Sequence, residues 1–182
     1  MNPDLYLWLL GRVAGLSCFA ALSIAVVSGV ALRAGTFSGV ATNRALNSTH
    51  RFVTVLWLPL GAVHVLALLL DQTARLAVWD VFLPFVASYD GRGRLAIGLG
   101  TLSLDMVLVV AVTGWLRNRL PNNLWCWLHR LSYLAFALFF FHAVLSGTDF
   151  SSPIVSAITW SSAFALAVLS AGRLVWGRLP GR

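Results

Sequence analysis

Five long apolar stretches constrain this chain more than any other feature. They run over about residues 5–32, 51–70, 95–116, 125–146 and 154–176. A helix that crosses a bilayer needs about 20 predominantly apolar residues, and each stretch predicts one. Across the 182 residues, 59% are hydrophobic and 10% charged, against about 25% charged in a typical soluble domain. Little is left for a water-soluble domain. A soluble enzyme and a disordered tail are excluded, as is a nucleic-acid partner for the net charge of +7. The expected fold is an all-α membrane protein, a five-helix transmembrane bundle with residues 1–182 as one domain, multi-pass in the cell membrane and in contact with lipid. Asp4 precedes the first basic residue, Arg12. The first stretch therefore reads as a retained helix rather than a cleaved signal, which would begin with a positive region. Cys18 and Cys126 are too few for a disulfide framework and read as packing thiols.

The charges predict an orientation. All 13 basic residues are Arg and all six acids are Asp. Lys and Arg collect on the cytoplasmic side of membrane proteins. With the N-terminus outside, the inner side holds Arg33, Arg44, Arg51, Arg117, Arg119, Arg130, Arg173, Arg178 and Arg182, and the outer side Arg12, Arg75, Arg92 and Arg94. Nine against four favours N-out, C-in. Every Asp except Asp105 then falls on the outer side. Trp8 and Trp79 mark the outer interface and Trp115, Trp125, Trp127 and Trp176 the inner one, as an aromatic belt does. The 71–94 connection, with Trp79, Phe82 and Phe85, is too apolar for an ordinary loop. It reads as a short interfacial segment that covers an outer acceptor site or packs as a lid.

The four histidines supply the chemistry. His50 and His64 stand on the second helix, His129 and His142 on the fourth, and these two helices run in the same direction. Fourteen residues rise about 21 Å and thirteen about 20 Å. Each helix therefore offers one imidazole at each of two depths, pairing His50 with His129 near the inner face and His64 with His142 toward the outer. Metal–nitrogen bonds are about 2 Å, so one ion cannot take all four. A pair is too few for tetrahedral zinc but suits haem, whose porphyrin supplies the remaining ligands. Bundle interiors commonly hold such cofactors.

Arg directly follows the inner histidine twice, in Thr49-His50-Arg51-Phe52 and Leu128-His129-Arg130-Leu131. Arg binds carboxylates bidentately, so Arg51 and Arg130 are candidates for inner-haem propionates, with Arg12, Arg75, Arg92 and Arg94 for the outer. Fourteen residues return to within about 40° of one helical face, whereas thirteen miss by about 140°. Three arrangements accommodate the mismatch: a distorted fourth helix such as a π-bulge, His129 in a frayed first turn, or rings approaching from different sides. Pro59 and Gly61 offer a kink between His50 and His64.

On His50…His64 and Trp125-x-x-x-His129-Arg130-Leu131-Ser132-Tyr133…His142, closing with Gly147-Thr148-Asp149, the chain resembles the ferric reductase-like transmembrane domain over about residues 12–149. That family includes ferric-chelate reductases, the membrane part of NADPH oxidases and stand-alone bacterial haem-binding subunits. The resemblance implies two stacked b-type haems between the second and fourth helices, with His50 and His129 on the inner haem and His64 and His142 on the outer. It also implies electron transfer across the membrane to ferric chelate, oxygen or a periplasmic redox protein. The chain stops at Arg182 without a Gly-rich dinucleotide fingerprint, and has five spans where members often have six. The expectation is an oxidoreductase component nearer the stand-alone subunits. Its donor is then a flavin reductase partner or quinol, with a flavin on that partner or at the inner face. The helix at about 154–176 is additional.

Asp105, about ten residues into the third helix, is costly in a membrane and turns toward a bundle interior or a water path. A transporter or proton channel using Asp105 and the histidines is the competing reading, and an assembly factor with packed histidines a third. Transporters often carry inverted repeats, and none is evident.

Overall fold

The computed structural model describes residues 3–34 and 41–176. Among them are five α-helices and no strand: α1 (Pro3–Ala34), α2 (Asn43–Leu70), α3 (Gly91–Trp115), α4 (Asn122–Ser146) and α5 (Pro153–Trp176). Helices α1 to α4 are long and apolar enough to cross a membrane, and α5 is apolar over Pro153–Val168. The chain is a multi-pass membrane protein. The side chains of Arg33, Asp149, Arg173 and Trp176, and residues Arg178 and Arg182, lie outside what the structure describes.

Each helix starts before its apolar run. The largest difference is at α2, which begins at Asn43 rather than 51. Thr42 receives the Ala45 N–H on its Oγ1 at 3.2 Å, and nothing from Asn43 to His50 breaks a helix. The apolar run marks the part suited to the membrane, whereas the helix continues through polar residues to its cap. At α3 the cap is Asp90, whose carboxylate accepts from Gly93 N at 2.7 Å.

The chain forms two compact units, one of residues up to Phe19 with Pro59–Gly147, the other of Ala20–Leu58 with Thr148 onward. In the first unit α3 and α4 form a hairpin through a 3₁₀ turn at Arg117–Arg119, with Pro121 at the start of α4. Small residues of α3 (Ala96, Gly98, Thr101, Ser103) are buried, as are Ala135, Phe136 and Phe140 of α4. Membrane helices associate through such small-residue faces and interhelical hydrogen bonds, and here Ser103 Oγ donates to Ala135 O at 2.8 Å. Phe19 of α1 packs on Phe136 and Phe140 with ring centroids 6.2 and 6.3 Å apart. In the second unit Val30 and Ala31 of α1 are almost fully buried.

The connection from α2 to α3 is turns around one 3₁₀ turn, Val78–Val81. Trp79, Phe82 and Leu83 are exposed, which suits a segment lying in an interface. The connection is pinned at several points. Thr101 Oγ1 donates to Asp80 O at 2.7 Å, the Tyr89 hydroxyl to Ala74 O, and Arg94 Nε to Ala87 O at 3.2 Å. Buried Asp71 closes the end of α2 by accepting from Thr73 N at 2.8 Å and Thr73 Oγ1 at 2.6 Å. These bonds, the Thr73 hydroxyl foremost, hold its carboxyl below the ordinary 3.8. A depressed carboxylate stabilises the fold above its unfolded value and loses that contribution as pH falls through its folded value. Asp71→Asn is therefore expected to flatten acid destabilisation below about pH 4, measured as thermal unfolding midpoint against pH. An unchanged acid limb would contradict this role.

Candidate haem site

Three of the four histidines are held in the same way. His64 Nδ1 lies 2.7 Å from Gly11 O, His142 Nδ1 2.8 Å from Ala96 O, and His50 Nδ1 2.8 Å from Ala25 O. A carbonyl oxygen only accepts, so Nδ1 carries the proton in each case. That assigns the tautomer and leaves the lone pair on Nε2. Metal-bound histidines typically show this arrangement, with the second nitrogen donating to a backbone carbonyl or carboxylate that orients the ring.

The carbonyls are reachable for a reason rooted in helix geometry. A carbonyl in mid-helix already accepts from the N–H four residues on, but has a second lone pair. Side chains tilt toward the helix N-terminus, so the Cβ of residue i+4 overhangs the carbonyl of residue i. Residue i+4 is glycine in all three cases: Gly15 after Gly11, Gly29 after Ala25, Gly100 after Ala96. A Cβ would lie 2.9 Å from His64 Nδ1 at Gly15, 2.6 Å from His142 Nδ1 at Gly100, and 3.3 Å from His50 Cε1 at Gly29. The rings occupy the space that side chains would take. Sequence reading missed these glycines, although the signal was present. Gly15 and Gly29 are 14 residues apart on α1, matching His50 and His64 on α2, and Gly100 and Gly114 repeat the interval on α3.

His64 and His142 belong to one unit and face each other. Their ring centroids are 6.4 Å apart, with planes at 80°. With metal–nitrogen bonds of about 2 Å and about 1 Å from nitrogen to ring centre, two imidazoles on one metal have centroids about 6 Å apart. The pair has the spacing of two axial ligands. Phe139 stacks on His142 at 5.9 Å and 18°. Among the described residues no group of three or more His, Cys, Asp or Glu could hold a metal ion. A metal here must bring its own remaining ligands, and a porphyrin does so. Comparison with family models, curated proteins and solved structures gives no match.

His129 is placed differently. Its ring stacks on Trp125, one turn earlier, with centroids 5.1 Å apart and planes at 19°. Helix α4 is α-helical throughout Asn122–Ser146, and His129 lies well past its first turn. The π-bulge and the frayed turn are thereby overturned as answers to the thirteen-residue interval, leaving rings on different faces of α4. Helix α2 likewise continues through Pro59. Beside His50, Ser28 Oγ stands 3.4 Å from Nδ1, in the unit that does not contain His129.

The arginines divide by environment. Arg12 lies over the Trp8 ring at 4.6 Å and Arg130 over Trp127 at 5.2 Å. Arg51 is exposed, and Arg75 adopts a left-handed backbone with φ 46°. Arg94 serves loop carbonyls, Ala87 O and Tyr89 O, and Arg92 is exposed. Trp115 and Trp127 are exposed as belt residues would be, whereas Trp125 turns inward and buries its indole nitrogen. Cys18 is buried and Cys126 half-buried.

Proposed function

We propose that this protein is a transmembrane electron-transfer subunit that holds two b-type haems. The observation that carries the reading is the facing pair His64 and His142, 6.4 Å apart, each with Nδ1 committed to a backbone carbonyl and Nε2 left for a metal. When bound, haem supplies one-electron redox chemistry. The chain's own residues hold and orient it. α1 and α3 fix the imidazoles through Gly11 O and Ala96 O, and Gly15 and Gly100 make room for the rings. His50, held the same way, and His129 are assigned to the second haem on the 14 and 13 residue intervals of the sequence alone. The bundle stands N-out and C-in on the arginine bias. Electrons enter from a flavin reductase partner or quinol on the cytoplasmic side and leave to ferric chelate, oxygen or a periplasmic redox protein. This follows the resemblance to ferric reductase-like domains.

A proton relay through the histidines fits less well. Relay requires an imidazole to exchange its proton between both nitrogens, and the three carbonyl bonds hold it on Nδ1.

The test is the visible spectrum of the purified protein with haem quantification. Two haems per chain are expected, with a b-type spectrum on dithionite reduction. His64→Ala and His142→Ala should each leave one haem, the same one, and His50→Ala or His129→Ala the other. A haem-free protein from haem-replete cells would overturn the reading.

A further inference from the structure

The α3–α4 turn contains a charged and a polar group that the haem ligation does not use. Trp125 Nε1 is buried and has no hydrogen-bond partner among the described residues. A buried indole N–H without an acceptor is costly and uncommon. Above the same indole, the Arg117 guanidinium lies 4.4 Å from the ring centroid, and on the indole the His129 ring stacks at 5.1 Å. Guanidinium and imidazole thus both lie against the same indole. No acid occurs between Asp105 and Asp149, while Arg117, Arg119 and Arg130 all fall in that interval. The stretch therefore offers donors and positive charge with no anion of its own.

We propose that Trp125 Nε1–H and the Arg117 guanidinium form an anion site for a carboxylate, the propionate of the porphyrin that His129 ligates. The inference rests on the haem reading. A propionate extends from the rim of the same macrocycle whose iron takes the imidazole, so its acceptor oxygens belong near that histidine. An in-plane indole N–H and a planar guanidinium fork suit a planar carboxylate. Arg117 is favoured over Arg130 because it lies on the indole whose N–H is buried and lacks an acceptor, whereas Arg130 lies over the exposed Trp127. Arg117 and Trp125 are both positioning residues: they fix the rotation of the macrocycle about the iron–histidine axis and partly neutralise a charge close to it.

Trp125→Phe separates the two roles of the indole, since the ring and its stacking survive while the N–H is lost. Potentiometric titration and redox-difference infrared spectra are recorded for the wild type, Trp125→Phe, Arg117→Gln and Arg117→Lys, in nanodiscs of zwitterionic lipid and of lipid containing phosphatidylglycerol. Two haems per chain are expected in every variant. One midpoint potential shifts negative in Trp125→Phe and Arg117→Gln, because an uncompensated carboxylate favours the ferric state, and Arg117→Lys restores part of the shift. A carboxylate band moves in the infrared spectrum, equally in both lipids. Unchanged potentials and carboxylate bands with haem content intact would overturn the proposal. A shift confined to the anionic lipid and carried by a phosphate band would also overturn it, naming a lipid headgroup as the occupant. Absence of haem from the wild type as well would overturn the haem reading itself, and is recognised by the missing Soret band.

Discussion

On the proposed two-haem reading, valine at position 100 is expected to remove one haem while sparing the other. A Cβ there would stand 2.6 Å from His142 Nδ1, 2.8 Å from Cε1 and 3.0 Å from Cγ, so the whole near edge of the imidazole blocks it. The ring cannot yield by a small rotation, because Phe139 stacks on it and Nδ1 is bonded to Ala96 O. The hairpin meanwhile keeps its Ser103 bond to Ala135. Overpacking costs about 1–3 kcal/mol; moving the imidazole relieves it and breaks the ligand pair. Haem per chain should fall from two to one for Gly100→Val. Gly15→Val, with a Cβ 2.9 Å from His64 Nδ1, should lose the same haem. Gly29→Ala is milder, because its Cβ would stand 3.3 Å from His50 Cε1 and 3.5 Å from Nδ1, and full haem content is expected. If Gly100→Val retained two haems with an unshifted spectrum, the carbonyl bond would not be positioning His142.

The second large effect lies at Gly98, on the face of α3 toward the α2–α3 connection. Here a Cβ would fall 2.5 Å from Phe85 Cε1 and 2.7 Å from Cγ, because the phenyl ring lies against the bare backbone of α3. Phe85 has φ 66°, a left-handed conformation that costs a non-glycine residue about 1–2 kcal/mol. The seat on Gly98 offsets that cost. Gly98→Val evicts the ring and removes the reason for the strained backbone, so the stretch around Phe85 should loosen while the Thr101 bond to Asp80 and the α3–α4 hairpin persist. The loss is about 1–3 kcal/mol, read as a lower thermal midpoint in detergent together with new chymotryptic cleavage between Trp79 and Tyr89. Phe85→Gly should relieve the backbone and lose the seat, giving a smaller change in midpoint than Gly98→Val. Identical digestion patterns for wild type and Gly98→Val would show that the ring does not anchor the segment.

These two glycines show where sequence reading reached its limit. The five helices and the four histidines were legible, because apolar length and an uncommon side chain are carried by residue identity. The carbonyls that hold the imidazoles were not. Gly11, Ala25 and Ala96 accept through their backbones, and nothing about Ala25 as a residue announces it. The 14-residue glycine intervals were present but merged into apolar filler, since a glycine inside a membrane helix has many uses. Trp125 was read as a belt residue from its position near a helix start, and only its buried nitrogen and its stacking on His129 distinguish it from Trp127 two residues on. The thirteen-residue interval in α4 left three arrangements open. The uninterrupted helix chose among them, which spacing alone could not do.

Because the imidazoles hang from main-chain oxygens, the residue types at positions 11, 25 and 96 carry no information the rings need. The helices that orient the histidines are therefore free to drift in sequence, provided each overhanging position leaves room for its ring and the chain stays apolar. A protein built this way can diverge until its residues share little with any ancestor, while the angle of each imidazole is inherited through the shape of the helix.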